Sequence, residues 1–290
     1  MLTTRRTFLT SGAAAALAAA GMRRSSPFSV HAAPSGAQFK VGVTDWNLRL
    51  AADPSSIELA KRLGFEGVQV SLATGKPREP IGNDVLQQYL AESRRHDLSL
   101  VSTCLNILHG NYLKSDPIGP QRVAEGIAMT EQLGLEVMLL PFFGPGALDT
   151  RAETDRVGDI LRELGPDAEK ANVILGLENT ISARENVRII ERAKSPAVLV
   201  YYDVGNSTNN GFDIIEEIRW LQRDRICEIH LKDNPHFLGE GDIDFTAVIG
   251  ALAEIGFDGW GVLETSSPTD DLEADMARNL SFVRETSAAT

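Results

Sequence analysis

Between residues 173 and 264 four short apolar runs each end on a side chain able to bind a metal: NVILGLE on Glu178, VLVYYD on Asp203, ICEIH on His230 and WGVLE on Glu264. Each run has the β-branched and aromatic content of a buried strand, then gives way to a polar or Gly-containing turn and a helical pattern. The four end residues lie 25, 27 and 34 positions apart. That is about one strand-plus-helix unit each, so the strands are expected side by side and pointing the same way. Their C-terminal ends then converge on one spot.

The alternation begins much earlier in the chain. Strands are expected at 40–44, 67–71, 98–105 and 136–140, ahead of the four already given. Helices are expected at 54–63, 84–96, 120–133, 150–171, 183–194, 213–223, 245–255 and 271–285, the first opening with Asp53 as cap and Pro54 at its first position. No linker or compositional break divides the series. A doubly wound dinucleotide-binding sheet needs fewer strands and a Gly-rich first turn, whereas the first strand here runs into Asp45-Trp46-Asn47. Eight strands alternating with eight helices predict a single-domain α/β protein, a closed (β/α)8 TIM barrel over 39–287, with its chemistry at the C-terminal strand ends. The fragments LGFEG at 63–67, LGLEV at 133–137 and IGFDG at 255–259 fit this layout as repeated helix-to-strand turns closed by glycine.

The first 33 residues belong to another category. Thr4-Arg5-Arg6-Thr7-Phe8-Leu9 is a twin-arginine pattern, followed by an Ala-rich apolar run and a small-residue end at Ala32-Ala33. This predicts an export signal over 1–33 and a protein delivered to the periplasm or the exterior. The run from Ser11 to Gly21 is too short to span a bilayer, so no membrane association of the mature form is expected. Loss of residues 1–32 removes four arginines and no acids, taking the formal charge from −12 to −16. Such a surface repels phosphate backbones and argues against nucleic acid as a partner. The two cysteines, Cys104 and Cys227, sit in apolar strand-like runs and read as buried small hydrophobes.

The segments GLE178N, YD203VG, H230LKD233 followed by G239EGDIDF245, and LE264 resemble those of the xylose isomerase-like barrel family of sugar phosphate isomerases and epimerases, which also includes ketose 3-epimerases and endonuclease IV. The resemblance covers residues 39–285. It implies that Glu178, Asp203, His230 and Glu264 bind one divalent metal and that Glu178 and Glu264 are the catalytic, proton-moving pair. The chain also departs from the ketose epimerases. Where they place a Glu, a His and an Arg to hold substrate hydroxyls, it carries Arg184, Asn206 and His236, which makes a free ketohexose a poor candidate substrate. Endonuclease IV needs more histidines than this chain supplies.

The chemistry is intelligible from the residues themselves. Three carboxylates and an imidazole form a hard, mostly oxygen site that suits Mn2+ first, with Mg2+, Co2+ or Zn2+ as further divalent candidates. A metal holding adjacent oxygens of a sugar acidifies the C–H between them and stabilises the enediolate. Two carboxylates can then take a proton from one face and return one to the other. Substrate contacts are expected from Lys232, His236, Asn206, His109, Trp46 and Arg184. The leading expectation is a sugar isomerase or epimerase acting on a small sugar or keto-sugar, and a homo-oligomer is compatible with it. Two alternatives stand beside it: a lyase expelling a leaving group from a 3-keto-glycoside, and a non-catalytic carbohydrate-binding barrel.

Overall fold

Alternating apolar strands and amphipathic helices close into a barrel in the computed structural model, which describes residues 39–290; the expected export signal at 1–33 lies outside the described residues. The barrel strands are β1 (Lys40–Thr44), β2 (Gly67–Ser71), β3 (Ser99–Cys104), β4 (Val137–Pro141), β5 (Ile174–Glu178), β6 (Val198–Asp203), β7 (Ile226–Leu231) and β8 (Trp260–Leu263). The helices that follow them in turn are α1 (Ser56–Leu63), α2 (Asn83–His96), α3 (Gly119–Gln132), α4 (Arg151–Lys170), α5 (Ala183–Ala193), α6 (Ile214–Leu221), α7 (Phe245–Glu254) and α8 (Leu272–Ala289). Every strand pairs in parallel with its neighbours in sequence, and β8 pairs with β1 to complete the circle. The expected (β/α)8 architecture is the one observed.

Local chemistry sets the element ends. Thr150, Ser182, Asp213, Asp244 and Asp271 each accept a backbone N–H in the first turn of α4, α5, α6, α7 and α8. The repeated glycines Gly64, Gly134 and Gly256 hold φ values of 92°, 71° and 67°, the left-handed turn that returns the chain to the next strand. Outside the barrel, the helices bury a continuous apolar layer against the strands. Inside it, Cys104, Val137, Leu139, Tyr201 and Cys227 form a second, smaller cluster. Both thiols are free and buried.

Three features were not expected from the sequence. A two-stranded hairpin, Ala73–Thr74 with Glu79–Pro80, follows β2, and a short helix, Val204–Asn209, follows β6 directly. The ladder also slips twice: between the pairs Val68–Leu100 and Val70–Thr103, and between Val200–Ile226 and Tyr201–Glu228. Each slip inserts one extra residue, in β3 and in β7, and re-aims the side chains beyond it. Among the described residues no helix is long and apolar enough to cross a membrane.

Candidate metal centre

The C-terminal ends of β5 to β8 bring Glu178, Asp203, His230 and Glu264 together, with one ligand atom from each within 4.8 Å of all the others. Parallel register is the reason. Asp203 pairs directly with His230, and Glu264 continues the ladder one residue past β8 by donating its N–H to the Leu231 carbonyl. Asp203 has a second role as N-cap of the short helix that follows, its Oδ1 accepting from Asn206 N at 2.7 Å. That leaves Oδ2 turned to the centre.

His230 is the hub of the group. Its Nδ1 lies 2.8 Å from Glu178 Oε1, 3.4 Å from Glu264 Oε2 and 3.7 Å from Asp203 Oδ2. Lys232, two residues on and therefore on the same face of β7, sets its ammonium 2.8 Å from Asp203 Oδ2 and 2.6 Å from Glu264 Oε2. Trp46 Nε1 donates to Glu264 Oε1 at 3.1 Å, and its ring meets His230 edge-on at 6.0 Å. Burial pushes the Glu178 carboxyl up to about 7, against the pull of His230. Burial acts on Glu264 in the same direction, but His230 and Lys232 outweigh it and hold that carboxyl well below the usual range. Desolvation likewise opposes charge on His230, yet Glu178 and Glu264 keep the imidazole well above its ordinary value.

These residues fit a divalent cation. The donor set is three carboxylates and one imidazole nitrogen, converging from four strands, which matches a hard or borderline ion. Asp203 Oδ2 is buried and accepts no hydrogen bond: the ammonium beside it makes an ion pair that satisfies its charge without an aligned N–H. A buried carboxylate oxygen in that state is available to a cation.

Beside the cluster opens a cavity of about 200 Å³ lined by Trp46, Ser71, Arg78, Asn106, His109 and Phe143, with Glu178 and Glu264 in its wall. It suits a compact ligand. Asn106 Nδ2 donates to the Ala73 carbonyl while its Oδ1 is buried without a partner. His109 stacks on Phe143 at 6.3 Å, and burial together with the Arg78 guanidinium lowers its pKa.

The six expected substrate contacts therefore divide. Trp46, His109 and Lys232 stand at the cavity or against the ligand cluster. Asn206 adjoins Asp203 through its backbone, and its buried Nδ2 has no partner. Arg184 does not reach the site: at the start of α5 it is exposed and lies over the Trp220 ring at 4.7 Å, on the outer side of the barrel. His236 is exposed in the loop after β7, its backbone N–H bonded to the Asp233 carbonyl. Asp233 itself closes that loop by accepting from Gly239 N and Gly241 N.

Sequence reasoning missed Arg78, carried on the unexpected hairpin, and the polar residues beneath the ligands. Gln69 Oε1 lies 2.8 Å from His230 Nε2, and Gln69 Nε2 donates to Ser102 Oγ and Tyr201 Oη, both at 3.1 Å. Ser102 Oγ donates to Glu228 Oε2 at 2.6 Å. A signal for two of them was present: Tyr201 and Glu228 stand two residues before Asp203 and His230, the spacing that shares one face of a strand.

The sequence model described as xylose isomerase-like TIM barrel matches residues 57–286. The chain belongs to that family. Within it, the L-ribulose 3-epimerase of Mesorhizobium japonicum is 24% identical over 217 residues, 71% of this chain and 65% of the relative. The chain thus spans just under two thirds of that protein's length. Among solved structures, the D-allulose 3-epimerase from Methylomonas sp. in complex with D-allulose superposes with a TM-score of 0.70 at 15% identity, covering 86% of this chain and 97% of that one. The 3-keto-D-glucoside 4-epimerase from E. coli gives 0.67 at 16% identity, covering 86% and 100%. At these identities the likeness of the family's structures is one of fold.

Proposed function

We propose that this chain is a divalent-metal-dependent sugar epimerase that removes a proton from the carbon beside a carbonyl and returns one to the opposite face. The observation that carries the reading is the convergence of Glu178, Asp203, His230 and Glu264 on one point next to the cavity. The relatives named above support it, each being named as an epimerase of a sugar; none is a lyase, and the lyase alternative is not favoured. A bound cation, Mn2+ for preference with Mg2+, Co2+ or Zn2+ using the same donors, would polarise the substrate carbonyl and acidify the adjacent C–H.

The chain's own groups do the rest. Glu178 and Glu264 flank His230 from β5 and from the end of β8, so one takes the proton and the other supplies its replacement. Lys232 and Trp46 fix both oxygens of Glu264, which holds that carboxylate in position through the transfer. Asn106, His109 and Arg78 offer hydrogen bonds to the sugar from the cavity wall. Arg184 and His236, exposed and outside the cavity lining, are not needed for these contacts. The twin-arginine pattern supports an exported enzyme, acting in the periplasm or outside the cell on an unphosphorylated sugar.

The reaction is tested by incubating Mn2+-loaded protein in heavy water with ketoses and 3-keto-glycosides and recovering the sugar. One deuterium on the carbon beside the carbonyl, with inversion there, is the expected result. Glu178→Gln and Glu264→Gln should each cost roughly 10²–10⁴-fold in that exchange. Sugar that binds but gains no deuterium would instead identify a non-catalytic carbohydrate-binding barrel.

A further inference from the structure

The hairpin after β2 brings one charged side chain to the cavity beside the ligand cluster. Ala73 pairs with Pro80 and Thr74 with Glu79. Its base is tied to the barrel: Leu72 N–H donates to the Cys104 carbonyl, Ile81 N–H donates to the Leu72 carbonyl, and the Ala73 carbonyl accepts from Asn106 Nδ2 at 2.8 Å. So short a loop, anchored at the end of β3, holds its residues over the C-terminal face. Arg78 is the hairpin residue that lines the cavity. Its charge is felt there, since after burial the guanidinium is the next cause that lowers the His109 pKa.

The guanidinium also stands without a partner. Arg49, on the loop after β1, is held by Asp270, and Lys232 by Asp203 and Glu264. Among the described residues no carboxylate pairs with Arg78, although Glu79 is its neighbour in sequence. The two acids in the cavity wall, Glu178 and Glu264, belong to the ligand cluster and are already paired within it. Arg78 is thus the one permanent cation among the described residues that line the cavity.

A sugar that fills the cavity takes water away from this guanidinium. A neutral sugar returns hydroxyl contacts and leaves the charge unmatched, which costs free energy. A carboxylate instead meets the planar fork with two parallel, charge-assisted hydrogen bonds. The wall offers an anion no second cation, and Trp46, Pro141 and Phe143 make much of it apolar. One guanidinium therefore matches a singly charged carboxylate, whereas a phosphate ester would bring close to two charges against one.

We propose that the sugar taken by this site is an acid, a uronate or another keto-sugar bearing a carboxylate, and that Arg78 binds the carboxylate while the reacting carbonyl lies toward Glu178 and Glu264. The proposal deepens the epimerase reading and rests on it for the fate of the sugar; the preference for an acid is a matter of binding.

The test is calorimetry on the full-length protein in excess Mn2+. The probes are D-fructose, D-tagatose, D-sorbose and D-allulose, each beside the acid in which the terminal hydroxymethyl is a carboxylate and beside the phosphate ester of that same hydroxyl. In the best-bound set the acid should bind roughly 10- to 100-fold more tightly than its neutral counterpart. Arg78→Leu should bring that ratio close to one. Arg78→Lys, which keeps the charge and loses the fork, should restore part of it. Because Arg78 is exposed, neither change should move the thermal midpoint appreciably. An acid bound no better than the neutral sugar, a ratio that survives Arg78→Leu, a phosphate ester bound more tightly than the carboxylate, or a panel in which no acid binds would each overturn the proposal. Exchange in heavy water separates it from the reading beneath it. Neutral sugars that gain deuterium with no preference for acids refute the acid site and leave the epimerase. An acid held through Arg78 that gains no deuterium keeps the site and removes the epimerase.

Discussion

Gly205 and Lys232 show how closely a single position can be specified. A Cβ built on Gly205 would lie 2.5 Å from Lys232 Cγ and 3.0 Å from the Lys232 carbonyl oxygen, too close for any other side chain without movement. Only hydrogen at this position lets the stem of Lys232 cross the short helix after β6 and bring its ammonium to Asp203 and Glu264. Gly205→Ala should therefore destabilise the protein by about 1–3 kcal/mol, the usual cost of overpacking, measured by denaturant unfolding. Adding Lys232→Ala should recover part of that loss, since it removes the Cγ atom that clashes. Full additivity of the two changes would show that they do not share this contact. Nothing in the sequence announced this pair, because YDVG and HLKD are far apart in the chain and meet only when β6 and β7 pair. The four ligands were legible for the opposite reason: each ends an apolar run, and strand ends are what a barrel gathers together. Arg184 and His236 were chosen by their offset from a ligand. An offset into a loop or a helix start fixes no direction for the side chain, and neither residue lines the cavity.

Elements carry a different kind of information. Helix α4 begins at a capping box: Thr150 accepts from Glu153 N, and Glu153 accepts from Thr150 N. The same carboxylate also pairs with Lys114 at 2.7 Å, tying the helix start to the loop after β3. Lys114, with the cap behind it, holds Glu153 down at about 2 from an ordinary 4.5. A depressed acid stabilises the folded state wherever the unfolded chain would still be ionised, above about 4.5, and that contribution fades as pH falls toward 2. Glu153→Gln keeps much of the cap and loses the charge, so it should cost no more than about 1 kcal/mol at neutral pH. That is a fall of roughly 2–4 °C in thermal midpoint for a domain of this size. The gap between native and variant should narrow steadily on acidification below pH 4.5; a constant gap would mean that the charge contributes nothing. The range expected for this helix, 150–171, lies within a residue of its observed ends. The sequence could not place the hairpin after β2 or the helix Val204–Asn209, since segments of two to six residues are too short to show a period. The hairpin supplies Arg78 and the short helix supplies the cap that aims Asp203, so the parts hardest to foresee lie nearest the site.

At the scale of the molecule, eight repeats of one pattern were enough to determine a closed barrel, because parallel strands with covering helices leave no other way to bury both faces of so regular a series. Closure has an energetic consequence at the metal centre. The four ligands are contributed by four adjacent strands over residues 178–264, and in an unfolded chain they are separated by whole helices, so the cage exists only in the folded state. A cation bound there stabilises the barrel by mass action, by about 2.7 kcal/mol when its free concentration is a hundred times its dissociation constant. For a domain of this length that corresponds to roughly 5–10 °C in thermal midpoint. Lys232 works against the effect: its ammonium already pairs with two of the carboxylates, so the ion-free barrel is not left with an uncompensated acidic cluster and should stay folded. Exhaustive chelation should thus lower the midpoint by that amount without unfolding the protein at room temperature, and added Mn2+ should restore it. Asp203→Asn weakens a ligand from the middle of the cage and should abolish the Mn2+-dependent rise. A chelated protein that melts at the same temperature as the Mn2+-loaded one, under conditions where calorimetry shows no binding, would remove the cation from this barrel and with it the chemistry assigned to Glu178 and Glu264.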